Sequence, residues 1–313
     1  YIFLDEIQKL PNFQSQLKIY YDLYPNLKFF ISGSTSLFIK KKTQESLAGR
    51  LISEVLRPLN FREYLYFKNL SHLLENILMY NVELESQFAI FLESQFVETV
   101  FFETKQERRD YLISIMKKII FEDITQIFSI NNPEILWRII KNIAARPGLL
   151  IDYNELSKEF EVSSKTISAY MYYLEEAFLI KKVYNFSKNL ITSEKKLKKY
   201  YLASPSFSWA LNNDFVDNIG KLVENYVISS KDYIFFWRDA YQHEVDFIDV
   251  VNDKIIPIEI KYKKEIILKE IKSLSIFANK FNVSKAVILS KNIEEKLLKF
   301  KDLDIVVKPV FLI

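Results

Sequence analysis

Residues 1–33 place a strand, a helix and a second strand in close succession, and that order dictates a parallel sheet. Tyr1-Ile2-Phe3-Leu4-Asp5 is a continuous apolar run ending in acid, the pattern of a short buried strand. Phe13, Leu17, Tyr20, Tyr21 and Tyr24 recur at helical spacing over residues 13–24. Residues 28–32 (KFFIS) read as a second buried strand closed by Gly33-Ser34. Strands joined through a helix run parallel, whereas a tight turn suffices for antiparallel neighbours. Open parallel sheets bind ligands at the carboxyl ends of their strands. Asp5 and Glu6 stand at that edge on the first strand, and Ser32-Gly33-Ser34-Thr35-Ser36 on the second. The plainer alternative is a buried strand that simply ends in an acidic turn. Because the sequence opens inside a strand, earlier strands of the same sheet are expected upstream.

After Pro58 the pattern turns helical. Helices are expected over 60–69, 71–81, 84–103 and 106–128, and over the strongly amphipathic 134–146, stopped by Pro147-Gly148. Within 84–103 the tetrad ESQF occurs twice, at 85–88 and 93–96, and reads as an amphipathic helical pair. Residues 153–184 have the rhythm of a helix-turn-helix. A short helix at Tyr153–Phe160 and a turn at Glu161-Val162 precede the N-cap Ser163 and a longer helix over Ser164–Phe178. Leu179–Tyr184 and Lys199–Ala203 then read as a strand pair. From residue 215 a helix (215–230) leads into strands at 233–237, 244–250 and 255–261. A helix at 266–281 and strands at 284–290 and 304–311 complete an α/β unit. A chain of 313 residues accommodates two or three domains.

Several chemistries are excluded by residue usage. The four glycines are Gly33, Gly49, Gly148 and Gly220. No two lie at the spacing of a G-x-x-x-x-G-K-[ST] loop, so these residues contain no phosphate-cradling loop of that kind. There are no cysteines, hence no disulfides and no thiolate metal site. His72 and His243 are the only histidines and are far apart, which argues against a His-based zinc site or a Ser-His-Asp triad. No run approaches the ~18 apolar residues of a membrane span, and no basic leader precedes an apolar stretch. A cytoplasmic location is the expectation. The formal charge of +3 is too small to announce nucleic acid, so charge distribution matters more.

YIFLDEIQKLPNF, FFISGSTS, SLAGR and LRPLNFREYL, in that order over residues 1–65, resemble a family of archaeal and bacterial AAA-type P-loop ATPases. The resemblance implies a Walker B strand, a sensor strand, a following loop and the start of a helical region. It implies ATP and Mg²⁺ as ligands, Asp5 as the magnesium carboxylate and Glu6 as the base that activates water. Ser32 or Ser34 would occupy the sensor position, and Arg50 is the candidate phosphate-facing cation. The sequence departs from the family by lacking the Walker A loop. The Gly-Gly-Phe-Pro turn common among relatives has only Ser94-Gln95-Phe96-Val97 as a counterpart.

Two further constellations follow. Residues 181–200 hold seven lysines (Lys181, Lys182, Lys188, Lys195, Lys196, Lys198, Lys199) against the single acid Glu194. A basic hairpin after a helix-turn-helix can straddle a DNA backbone, with Lys165, Thr166 and Tyr170 near the start of the long helix as further contacts. The alternative is a spacer with a solvated lysine-rich hairpin, or a protein-docking winged helix. Farther on, Glu244-Val245-Asp246 precedes Ile258-Glu259-Ile260-Lys261. Strand alternation puts Glu259 and Lys261 on one face, and Asp246 can lie across from them. Carboxylates so grouped can bind Mg²⁺ beside an ammonium that orients water. FFWRDAYQHEVDFIDVVNDKIIPIEIKYK resembles the PD-(D/E)XK restriction-endonuclease-like domain found C-terminal in the same ATPase family. By that resemblance Asp246 and Glu259 are metal ligands, Glu224 an accessory acid and Lys261 the catalytic lysine.

The expected fold is multidomain α/β and α. It comprises part of a parallel-sheet ATPase core (1–65), a helical region (66–130), a winged helix (131–203) and a nuclease-like α/β domain (204–313). Three functions compete: an ATPase coupled to a DNA-binding module, a metal-dependent DNA nuclease with a regulatory ATPase part, and a nucleotide-switched scaffold without catalysis. ATP and double-stranded DNA are the expected partners. Oligomeric state stays open.

Overall fold

The first βαβ unit forms as the sequence dictates. β1 (Ile2–Leu4) pairs in parallel with β2 (Phe29–Ile31) across α1 (Phe13–Leu23). This is a computed structural model, and it describes residues 1–7, 10–33, 47, 49–212, 219–292 and 294–313. Ile7, Phe13, Leu17 and Leu47 make a small core of their own, separate from the rest of the interior. Phe3 and Phe30 stack with ring centroids 4.9 Å apart on the open face of this sheet.

Downstream, α2 (Phe61–Phe67) starts where two side chains cap it. Asn60 Oδ1 accepts from the Glu63 N–H at 3.0 Å, and Glu63 Oε2 accepts from the Asn60 N–H at 2.8 Å. Two orphan donors of the first turn are thereby satisfied. The helix expected over 71–81 is instead a single 3₁₀ turn, Ser71–Leu74, and α3 begins at Asn81 (Asn81–Leu92). Asn76 explains the break: its Oδ1 accepts from the Met79 N–H at 3.1 Å, a local bond that competes with the helix ladder. α4 (Val97–Phe101), α5 (Lys105–Lys118) and α6 (Glu134–Ala145) follow.

The rest of the chain builds one nine-stranded sheet. Its strands are β3 (Leu149–Ile151), β4 (Ile180–Asn185), β5 (Lys198–Leu202), β6 (Phe235–Arg238), β7 (Glu244–Val251), β8 (Lys254–Lys261), β9 (Lys285–Ser290), β10 (Lys296–Phe300) and β11 (Leu303–Pro309). Their spatial order is β10-β11-β9-β8-β7-β6-β4-β5-β3. α7 (Tyr153–Glu159) and α8 (Ser164–Glu176) lie between β3 and β4, with Ser163 Oγ capping the Thr166 N–H at 3.0 Å. α9 (Leu190–Lys195) lies between β4 and β5. α10 (Pro205–Leu211) and α11 (Ile219–Ser230) precede β6, and α12 (Lys272–Phe281) precedes β9. β3, α9, α10 and β10 are not expected from the sequence. The Ser204-Pro205 start of α10 is an N-cap followed by proline at the first helical position, a signal that was present. β10 is an exposed edge strand with little apolar patterning to betray it.

The boundary expected at 203/204 falls inside this sheet. β4 pairs in parallel with β6 through Tyr184↔Phe235 and Asn185↔Phe236. Asn185 locks the seam: its Nδ2 donates to the Arg238 carbonyl at 2.9 Å, and its Oδ1 accepts from the Arg238 N–H at 3.1 Å. One continuous core runs from Leu59 to Phe311, and a second lies around Trp237 and Phe277. The second ESQF tetrad is a joint in the first core. Gln95 is buried, accepts from Ser204 Oγ at 2.8 Å and donates its backbone N–H to Ser206 Oγ at 2.9 Å. The helical region and the segment after β5 are thus tied through one amide side chain.

Gly148, at the entry to β3, sits at φ 82°. A Cβ there would lie 2.9 Å from Tyr201 Oη and 3.0 Å from Glu224 Oε1. The left-handed backbone costs an alanine roughly 1–2 kcal/mol, and forcing atoms into a packed site adds about 1 kcal/mol or more. Gly148→Ala is therefore expected to lower unfolding stability by about 2–3 kcal/mol. A urea unfolding midpoint unchanged from wild type would contradict that close approach.

Candidate functional site

Two sites emerge. At the first, Leu4 ends β1 by accepting the Ser32 N–H at 2.9 Å, and the Ser32 carbonyl accepts the Ile7 N–H at 3.0 Å. These bonds bring Asp5 and Ser32 side by side at the carboxyl edge of the two strands. Ser32 Oγ donates to Asp5 Oδ1, which also accepts the Glu6 N–H at 3.0 Å. Glu6 is held at φ 50°, a conformation uncommon outside glycine. Asp5, Glu6 and Ser32 are therefore brought together. Ser34 lies outside the described residues. Arg50 is engaged elsewhere: its Nε and Nη2 donate to the two carboxylate oxygens of Asp22 at 3.1 and 3.4 Å. In this state the guanidinium makes a bidentate pair with α1.

The second site is buried in the nine-stranded sheet. Asp246 on β7, Glu259 and Lys261 on β8, and Glu224 on α11 converge as expected. Glu224, Asp246, Lys261, Lys221, Gly220, Ile260 and Tyr262 line a cavity of about 230 Å³. Asp246 Oδ2 accepts the Ile260 N–H at 2.8 Å, and Lys261 Nζ donates to Glu259 Oε1 at 2.5 Å. Glu259 Oε2 is buried with no hydrogen-bond partner. Burial, reinforced by the neighbouring Glu224, pushes the Asp246 carboxyl up to about 6. Burial and then Asp246 push Glu259 up to about 8. Burial opposes the charge on Lys261, but Glu259 and Asp246 outweigh it and hold the ammonium above its usual range.

Sequence reasoning missed the wall that completes this site. Lys199 on β5 is 2% exposed, and its Nζ lies 2.6 Å from Glu244 Oε1 and 3.5 Å from Glu224 Oε1. Tyr201 Oη donates to Glu224 Oε1 at 2.5 Å, and Lys221 Nζ donates to Glu224 Oε2 at 2.7 Å. Burial opposes the charged form of Glu224, but Lys199, Lys221 and Tyr201 more than offset it and hold the carboxyl below its usual range. Both Glu224 oxygens thus accept from protein donors, and Lys199 is the cation it shares with Glu244. The signal for Lys199 was its place at the head of a buried run, Lys199–Leu202, in which it shares a strand face with Tyr201.

The lysine-rich hairpin is accordingly not a free basic arm. Lys181 Nζ donates to the Ile228 and Ser229 carbonyls at 2.9 and 3.3 Å, Lys182 pairs with Glu175 at 2.7 Å, and Lys198 donates to the Glu194 carbonyl at 2.5 Å. Lys196 is half-buried; burial first, and then Lys280, depress its ammonium. Tyr170 is buried in the main core, and Thr166 Oγ1 shares a hydrogen with Ser163 Oγ at 2.8 Å. Lys165, Lys188 and Lys195 remain exposed.

The residues present fit a hard divalent cation on donor chemistry. Two neighbouring carboxylates repel one another when both are charged, and Glu259 keeps an unsatisfied buried oxygen. Among the described residues no group of three or more His, Cys, Asp or Glu side chains is arranged to hold a metal. In the metal-free protein the sign of the pH response follows. Asp246 and Glu259 bind protons more tightly folded than unfolded, where carboxyls titrate near ~4. Their contribution is fully present below that value and is lost as pH rises through about 6 and about 8. Thermal midpoints are expected to fall from pH 5 to 8.5, and Glu259→Gln to flatten that fall. An unaltered slope in the variant would contradict the assignment.

Comparison with known proteins matches three separate segments of the chain. Residues 1–65 match the family model of an AAA domain, residues 98–216 a domain of unknown function (DUF8612) and residues 219–308 another (DUF4143). An uncharacterized protein of Methanocaldococcus jannaschii is 27% identical over 260 residues, which cover 79% of this chain and 58% of that protein. A second from the same organism is 22% identical over 263 residues, 77% of this chain and 55% of its own length. An uncharacterized protein of Haemophilus influenzae is 24% identical over 287 residues, covering 84% and 66%. The chain therefore spans a little over half the length of the archaeal relatives. No solved structure matches. No described helix is long and apolar enough to cross a membrane. The N-terminal segment, residues 1–65, is AAA-like.

Proposed function

We propose that this chain carries the magnesium-holding and water-activating half of an AAA-type ATPase site, coupled to a second, metal-dependent centre of nuclease type. The observation that carries the first part is the Asp5–Ser32 hydrogen bond across neighbouring parallel strands, with Glu6 adjacent. Asp5 is suited to hold Mg²⁺, and the ion would neutralise charge on the transferring phosphoryl group. Glu6 would accept the proton of the attacking water. Ser32, fixed against Asp5, would orient the water or the terminal phosphate. Ser32→Ala, in a preparation that includes a phosphate-binding loop, is expected to lower kcat about tenfold with little change in KM for ATP. Unchanged kcat would remove Ser32 from the site.

The second part rests on the Asp246–Glu259–Lys261 cluster. Asp246 and Glu259 would hold the divalent cation, which supplies Lewis acidity toward a phosphodiester. Lys261, adjacent to both, would position water or balance developing negative charge. The helix-turn-helix of α7 and α8 supports a winged-helix reading, with DNA as the candidate partner through exposed Lys165 and Lys195. The internal commitments of Lys181, Lys182, Lys198 and Lys199 weigh against a DNA-straddling hairpin.

A further inference from the structure

We infer that the acidic centre accepts one divalent cation and not two, because the ammonium of Lys199 already stands where a second ion would bind. The inference rests on the metal-dependent reading of that centre and specifies its stoichiometry. Four carboxylates surround the region: Glu224, Glu244, Asp246 and Glu259. A pair of clamped ions about 3.5–4 Å apart needs carboxylates that face both of them.

Two of the four are committed to protein cations. Glu224 Oε1 receives Tyr201 Oη at 2.5 Å and faces Lys199 Nζ at 3.5 Å, and its Oε2 receives Lys221 at 2.7 Å. Glu244 Oε1 pairs with Lys199 at 2.6 Å, and its Oε2 with Arg238 Nη1 at 3.3 Å. Lys199 cannot swing aside into solvent. It is 2% exposed on a strand paired on both sides, by β4 and β3, its Nζ lies 5.1 Å from the Phe236 ring centroid, and Gly148 packs against the neighbouring Tyr201–Glu224 contact. An ion bridging Glu224 and Glu244 would have to displace a buried ammonium that both acids already neutralise. Asp246 and Glu259 remain, and one oxygen of each already accepts a protein hydrogen. Two free donor oxygens suit a single ion whose other positions are filled by water.

The lysine comes from the segment that matches one family, whereas Glu224, Glu244, Asp246 and Glu259 lie in the segment that matches another. The internal cation is thus supplied across the seam where β4 meets β6.

Mn²⁺ titration followed by the electron paramagnetic resonance of the free ion tests this, because it reads binding without any activity. Wild type and Asp246→Ala are compared, so that ions bound at the Asp5 edge cancel in the difference. Asp246→Ala removes one carboxyl of a mutually repelling pair, and circular dichroism checks its fold. The expected difference is one Mn²⁺ per chain. A difference of two overturns the inference while leaving the metal-dependent reading intact. A difference of zero refutes that reading itself. Lys199→Met, titrated at a temperature where circular dichroism shows it folded, is expected to gain a second Mn²⁺. A folded variant that still binds only one would remove Lys199 as the cause.

Discussion

Replacing Lys199 with methionine is expected to destabilise the fold by about 3–5 kcal/mol, the cost of leaving buried charge without its partner. Methionine preserves much of the side-chain length and none of the charge. Glu224, 6% exposed at its side chain, would keep Lys221 and Tyr201 but lose the cation shared with Glu244. Burial would then push the Glu224 carboxyl upward, since Lys199 is the strongest of the groups now holding it down. The expected observation is a large fall in the urea midpoint with an unchanged slope of unfolding free energy on denaturant. A solvated lysine in a surface hairpin would cost no more than about 0.5 kcal/mol. A loss that small would return Lys199 to the surface role its neighbours suggested. Substituting Lys165 or Lys195 in the same way provides the exposed reference.

That contrast marks where sequence reading succeeded and where it stopped. Periodicity located most helices because one face of each is apolar; β1 and β2 were legible as continuous apolar runs, although Phe3 and Phe30 lie exposed rather than buried, and the β7–β8 hairpin by its alternation. Asp246, Glu259 and Lys261 were legible too, since strand alternation alone brings Glu259 and Lys261 to one face. The run of lysines was read as a unit because composition carries no direction. Lys199 alternates inward with Tyr201, while Lys198 reaches back to the Glu194 carbonyl. A basic segment therefore divides into a buried structural cation and surface groups bonded locally. The seam between β4 and β6 was invisible for a different reason. A pairing between strands separated by α10 and α11 depends on tertiary packing, and Asn185 gives no local sign that it will bond Arg238. The pairing of Arg50 with Asp22 was likewise not legible, because Asp22 lies on the exposed side of α1 and nothing in the sequence couples the two.

The two sites have unequal support in the geometry. The acidic centre is closed by three lysines, a tyrosine and a glycine, each with a stated contact. The strand-edge site has Asp5, Glu6 and Ser32 in register, and it depends on a phosphate-binding loop for function. The proposed ATPase chemistry rests on the strand-edge site alone and is tested there.

Mg²⁺-dependent phosphate release from ATP by a preparation containing a phosphate-binding loop, compared between wild type and Glu6→Gln, addresses that claim. Glutamine keeps the shape of the side chain and cannot take the proton from water. The account predicts hydrolysis by wild type, a loss of about 100-fold or more in kcat for Glu6→Gln, and ATP binding retained in the variant. Hydrolysis that proceeds at the wild-type rate without the Glu6 carboxylate, or a wild type that binds ATP and never hydrolyses it, would contradict it.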